Sequence, residues 1–164
     1  MAEVLEGTVE LPTADDTIAF GARLGADLVA GDVVVLSGPL GAGKTVLAKG
    51  IARAMRVEGA VTSPTFVLAR VHPALTAGEP AMVHVDVYRL LDHAGADLLA
   101  ELDSLDLDTD LEDAVVVVEW GEGLAERLSD RHLDIRLERA RDTDVRIAAW
   151  QWHRRGERSD GAGR

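Results

Sequence analysis

VVVLSGPLGAGKTVLAKGIARAM, Val33 to Met55, is the stretch whose reading decides the fold. VVVLS is a short apolar run of the kind buried in a parallel sheet. Gly38-Pro39-Leu40-Gly41-Ala42-Gly43-Lys44-Thr45 then fits G-x-x-x-x-G-K-[ST] without a mismatch. Beyond it Val46, Leu47, Ile51, Ala54 and Met55 recur at helical spacing, and the helix is expected to end near Glu58-Gly59. Each loop position has a physical reason. The glycines let the backbone curl until several N–H groups point into one phosphate-sized concavity. The helix that follows presents its N-terminal N–H groups and positive dipole end to the same anion. Lys44 can reach the β and γ phosphates, and the Thr45 hydroxyl can ligate Mg²⁺, a hard ion that prefers oxygen. Only two lysines occur in the chain, Lys44 and Lys49, and one stands where the motif needs it.

Outward from this unit the pattern keeps alternating strand and helix. Thr13-Ala14-Asp15-Asp16 resembles a capping box with Asp in place of Glu or Gln, opening a helix through about Val29 with Ile18, Ala22, Gly25 and Leu28/Val29 on one face. Gly31-Asp32 turns the chain into the strand. Thr65–Val71 and MVHVDVY (82–88) read as strands, Ala96–Leu102 as a short helix, and VVVV (115–118) as another buried strand. RHLDIRLER and DVRIAAW alternate apolar and polar residues about a polar turn, which predicts a C-terminal β-hairpin. The expected architecture is α/β: one P-loop NTPase domain over residues 1–153, a central, mostly parallel sheet flanked by helices, and a disordered polar tail over 154–164.

Composition narrows the function. A chain of 164 residues suits one core. There are no cysteines, so disulfides, zinc ribbons and thiol catalysis are excluded together. No apolar run approaches the ~20 residues that span a bilayer, and MAEVLEGTVE has no signal-peptide pattern, so a cytoplasmic protein without membrane contact is expected. Net charge is −12, and Asp92–Asp113 holds nine Asp and Glu and no Lys or Arg. That segment is a solvated face or a docking surface for a basic partner; the chain lacks the basic field that direct nucleic-acid binding needs.

The chain contains no asparagine, so the Asn-Lys-x-Asp guanine readout of GTPases is absent and ATP is the expected nucleotide. A small-molecule or nucleotide kinase would need an Arg-rich lid; Arg131, Arg136, Arg139 and Arg141 are candidates, though HLDIRLER alternates like the solvent face of a strand. A nucleotide-gated binding module without catalysis is the other alternative.

Further landmarks follow the phosphate loop. Thr62-Ser63-Pro64-Thr65-Phe66 lies between its helix and the next strand, His84-Val85-Asp86-Val87-Tyr88-Arg89-Leu90 ends the strand after that, and Glu119-Trp120 ends VVVV. GxLGAGKT, SPTF, HxDxYRL and EW, in that order and from about Leu11 to Ile147, resemble the TsaE (YjeE) family, small bacterial ATPases required for threonylcarbamoyladenosine (t6A) modification of tRNA. Three positions depart from that pattern: Val46 where a second Thr commonly follows, Gly121 where a proline commonly follows EW, and His72 where an aromatic often sits.

The resemblance implies ATP held by Gly38, Leu40, Gly41, Ala42, Gly43, Lys44, Thr45 and Val46, with Mg²⁺ held by Thr45 and Glu119. It places Asp86 close by, as a ligand through water or as the group orienting the attacking water. Lys44, Asp86 and Glu119 are then the catalytic set. The residues agree independently: two acids ending two apolar strands lie where open α/β sheets bind ligands. A strand-end acid that merely caps a loop is the plainer reading of either one. Thr65 is placed like a switch threonine beside Ser63, which Pro64 biases toward extended geometry; a plain turn before a strand is the alternative. Tyr88, Arg89 and Trp120 are switch or partner candidates, and Trp120 covers the site, meets a partner or simply packs. Trp150 and Trp152 read as core or hairpin packing, and His84 and His93 as structural. The resemblance further implies ATP hydrolysis that supports a larger complex, in which TsaD and TsaB transfer threonylcarbamoyl to adenosine 37 and supply most of the tRNA contact.

Overall fold

The protein, studied as a computed structural model, is described over residues 5–62, 69–86, 111–120 and 129–154. Seven strands and two helices are formed there: β1 (Glu6–Leu11), α1 (Ala14–Gly25), β2 (Val33–Ser37), α2 (Lys44–Met55), β3 (Ala69–His72), β4 (Ala81–Asp86), β5 (Ala114–Glu119), β6 (Arg131–Arg139) and β7 (Arg146–Arg154). All strands join one sheet in the order β1-β7-β6-β2-β5-β4-β3.

Its centre, β6-β2-β5-β4, is parallel, and its margins are antiparallel: β7 on β6, β1 on β7, β3 on β4. The sheet is therefore mixed, not mostly parallel. The reason is local, because a short polar turn folds β7 straight back on β6, and antiparallel neighbours need no crossover. β1 escaped the sequence reading altogether. Its residues alternate between exposed and half-buried, the weak signature of an edge strand, and it docks along the full length of Leu11–Glu6 against β7.

The valines behave as their pattern demands. Val34, Leu36, Val115, Val117 and Met82 face the two helices, together with Leu133, Ile135 and Leu137 of β6. Val33, Val35, Val83, Val85, Val116 and Val118 form a second cluster on the opposite face. Among the described residues both helices lie on the first face, so the helices do not flank the sheet on both sides there.

α1 starts at the expected capping box: Asp16 N–H donates to Thr13 Oγ1 (3.2 Å) and Thr13 N–H to Asp16 Oδ2 (2.9 Å). It stops at Gly25, short of Val29, and its buried stripe is Thr17, Phe20, Gly21 and Gly25, with Leu28 beyond it; Val29 is exposed. The stripe is shifted because glycine, not bulk, sets the contact. A Cβ on Gly21 would strike the Leu47 carbonyl, one on Gly50 the Ile18 carbonyl, and one on Gly25 would sit 2.8 Å from the Ile51 carbonyl. The backbones of α1 and α2 touch, and only glycine permits that approach. α2 ends at Met55, earlier than expected, because Arg56 turns into the left-handed conformation (φ 55°) with its N–H capping Ala52 and Arg53 carbonyls.

Other boundaries also move. The described part of β3, Ala69–His72, reaches one residue past the expected Val71, the first four residues of that expected strand lying outside the described residues, and β7 runs to Arg154, one residue into the segment assigned to the tail. Trp152 is buried in the core and Trp150 packs on Phe20 at 5.3 Å between centroids, the packing role expected of both. Residues 63–68, 87–110 and 155–164, which carry Ser63, Thr65, Tyr88, Arg89, the acidic helix and the tail, lie outside the described residues. No helix of the described residues is long and apolar enough to cross a membrane.

Candidate functional site

The C-terminal ends of three adjacent parallel strands converge on the start of α2. β2 runs out at Ser37 into the glycine loop, and β4 and β5 end side by side on Asp86 and Glu119, which are paired in register. Parallel neighbours lie roughly 4.8 Å apart, so the two carboxylates leave the sheet as a pair. Both are buried, at 7% and 3% exposure, on the face that carries the helices.

The loop has the backbone that its glycines allow. Gly38, Gly41 and Gly43 take φ of 139°, 79° and 104°, all left-handed, and Gly43 is the N-cap of α2. A side chain on Gly38 would collide with the Leu137 carbonyl of β6. Ala42 is buried beneath the loop, while Leu40 stands at its apex, 94% exposed.

Lys44 and Thr45, the first two residues of α2, reach in opposite directions. Lys44 Nζ donates to the carbonyls of Gly38 (2.8 Å) and Pro39 (3.0 Å), so the ammonium closes the loop on itself. Thr45 Oγ1 donates to Glu119 Oε1 at 3.1 Å, a contact between residues 74 apart in sequence. Burial lowers the Lys44 pKa from its ordinary value; Glu119, then Asp86, oppose this by Coulomb attraction.

Trp120 has a definite place. Its N–H continues the β2–β5 ladder to the Leu36 carbonyl (3.0 Å), and its backbone then turns left-handed (φ 64°). For a bulky non-glycine residue that conformation costs about 1–3 kcal/mol. The indole lies over Lys44 with Nζ 4.3 Å from the ring centroid, a cation–π distance. The indole therefore sits against one of the residues expected at the site.

Two residues join the site that sequence reasoning passed over. His84, read as structural, is 1% exposed and puts Nε2 3.6 Å from Glu119 Oε2. Its signal was the period-2 spacing His84–Asp86, which puts both on one strand face. Arg146, at the start of β7, donates from Nη2 to the Gly41 carbonyl at 3.2 Å. The hairpin brings it back to the loop across 105 residues, and no local pattern distinguishes it from the arginines of β6. Those arginines engage elsewhere: Arg131 with buried Asp32 (3.1 Å), Arg136 with Glu138 (2.8 Å), Arg139 with Thr143 and Asp144. Replacing Arg146 with Ala is expected to raise the KM for ATP about fivefold, the net worth of one hydrogen bond, with kcat and melting temperature nearly unchanged. An unaltered KM in steady-state kinetics would remove Arg146 from the site.

A hydroxyl and two carboxylates at one helix start are hard oxygen donors, the set that Mg²⁺ selects, and they fit that ion. A glycine loop with left-handed backbone, an ammonium and this oxygen set together suit a phosphate ester bound with a divalent cation.

Comparison with known proteins agrees with these landmarks. The family model described as "Threonylcarbamoyl adenosine biosynthesis protein TsaE" matches residues 11–147. A Mycobacterium tuberculosis protein named tRNA threonylcarbamoyladenosine biosynthesis protein TsaE is 76% identical over 148 residues, covering 90% of this chain and 88% of the relative. A Streptomyces coelicolor protein of the same name is 56% identical over 120 residues, 73% of this chain and 77% of the relative. Among solved structures, the crystal structure of Bacillus subtilis YdiB is similar with a TM-score of 0.65 and 27% identity, covering 93% of this chain and 88% of that one. With a matching family model over most of its length and relatives this similar, the chain belongs to the TsaE family.

Proposed function

We propose that this protein is a P-loop NTPase that binds and hydrolyses ATP with Mg²⁺ in support of tRNA t6A formation. The observation that carries the reading is the convergence of Lys44, Thr45, Asp86 and Glu119 at the glycine loop, in a chain whose relatives are named for t6A biosynthesis. On this reading the glycine loop and the α2 N-terminus cradle the β phosphate through backbone N–H groups. Lys44 turns from the Gly38 and Pro39 carbonyls to the phosphates. Thr45 and Glu119 would hold the metal, and Asp86 would hold it through water or orient the attacking water. The chemistry that Mg²⁺ would supply there is neutralisation of the charge developing on the transferred phosphoryl group. His84 steadies Glu119 from behind, and Trp120 keeps bulk water from the Lys44 side of the site.

Partner proteins of the TsaB and TsaD type are the proposed recipients of the nucleotide cycle, with tRNA met only through them. The strongly acidic balance of the chain supports protein partners over direct RNA binding. Purified alone, the protein is expected to hydrolyse ATP slowly, and the rate is expected to rise when TsaB and TsaD are added. Equal and fast rates with and without them, in a phosphate-release assay, would sink the partner-driven mechanism.

A further inference from the structure

At the other end of the hairpin, three side chains that could share a metal meet on the sheet face away from the helices. His132 and His153 are directly opposed in the β6–β7 register, and Asp134 is two residues beyond His132 on the same face. His153 Nε2 lies 3.0 Å from Asp134 Oδ2 and His132 Nε2 lies 3.9 Å from the same oxygen. The two rings are stacked, 4.7 Å between centroids and 14° from parallel. One donor atom from each residue falls within 4.8 Å of the others. His132 is buried, while Asp134 and His153 are exposed enough to adjust and to admit an ion. Asp134 also lines an open groove with Glu6, Thr8, Arg136 and Gln151, so water can complete a coordination shell.

An ion pair between Asp134 and a protonated His153 accounts for the 3.0 Å contact alone. The same Asp134 oxygen also lies within 3.9 Å of a second imidazole, that of His132, so three donors of metal-binding type meet at one point. Each imidazole in its neutral form offers one ring-nitrogen lone pair to a metal, and the carboxylate offers an oxygen. We propose that His132, Asp134 and His153 form a site for a divalent transition metal of the zinc type, with water in the fourth position. Two imidazoles and one carboxylate are a borderline N/N/O set of the kind used for open zinc sites. Tetrahedral donors at about 2.0–2.2 Å from an ion lie about 3.4 Å apart, within the range spanned by 3.0 and 3.9 Å here; because stacked rings point their in-plane lone pairs side by side, the half-exposed His153 turns out of the stack when the ion binds. The site is separate from the glycine loop. His132 pairs with Val33, the first residue of β2, and the loop follows the last, about 13 Å along the strand. A metal there would clip β6 to β7 at the hairpin end opposite Arg146.

The test uses the untagged full chain, stripped by chelation and titrated with Zn²⁺ and with Co²⁺ in excess Mg²⁺, which occupies hard-oxygen sites. One equivalent of Zn²⁺ is expected to bind at micromolar concentration and raise the melting temperature, and Co²⁺ is expected to show the visible bands of a low-coordinate N/O site. His153→Ala and Asp134→Asn, both surface changes whose folding is checked by circular dichroism, should each weaken binding at least tenfold and abolish the thermal shift. Glu119→Gln should leave Zn²⁺ binding intact. Absence of saturable binding overturns the proposal, as does undiminished binding by His153→Ala, or loss of binding in Glu119→Gln.

Discussion

Replacing Glu119 with Gln is expected to reduce Mg²⁺-dependent ATP hydrolysis by about 10²–10³-fold, the scale seen when one electrostatic contributor to a transition state is removed. The substitution keeps the shape of the side chain, and the amide oxygen can still accept from Thr45 Oγ1. It removes the charge that would hold a metal. Glu119 is 3% exposed, so neutralising it also relieves the desolvation penalty of a buried carboxylate. The melting temperature should therefore hold or rise while activity falls. That opposite movement separates a metal role from a structural one, and a variant that is both active and unchanged in Mg²⁺ dependence would refute the assignment. ATP binding measured without Mg²⁺ should be largely retained.

Replacing Lys44 with Ala should act one step earlier. Two charge-assisted hydrogen bonds to phosphate are worth about 3 kcal/mol or more together, so the Kd for ATP is expected to rise about 100-fold or beyond. The same ammonium donates to the Gly38 and Pro39 carbonyls and lies under the Trp120 ring. Those carbonyls can turn to water when it is removed, so the fold should survive. Loss of Lys44 should also change the Trp120 environment, giving an emission change in the absence of nucleotide that Trp120→Phe abolishes. In a bacterium depleted of its own homologue, wild type should restore t6A in tRNA and Lys44→Ala should not; full restoration by the variant would contradict the proposed role of ATP.

Much of the site was legible because its signals are local. The phosphate loop is contiguous, and the residues that bend it are glycines whose left-handed φ values need glycine at those positions. Glu119 was legible by a different route: an acid ending a fully apolar strand is costly unless something holds it, and Thr45 Oγ1 and the His84 ring are what the fold brings to it. The nearness of His84 to Glu119 was not legible, because a lone histidine on an apolar strand carries no sign of what it faces. Arg146 was missed for a related reason, since alternation assigns a residue to a strand face and not to the loop beyond the strand's end.

By itself, the sequence determined the strand–loop–helix unit, the capping of the first helix, the buried valine strands, the hairpin and the motif series that marks the TsaE family. These rest on neighbours within a few residues, where spacing and side-chain type suffice. Tertiary structure alone decided the mixed sheet with β1 at its edge, the glycine-mediated contact of α1 with α2, the seat of Trp120 on Lys44 and the convergence of His132, Asp134 and His153. Each of these depends on which distant segments pair and in what register, a choice made by the packing of the entire core.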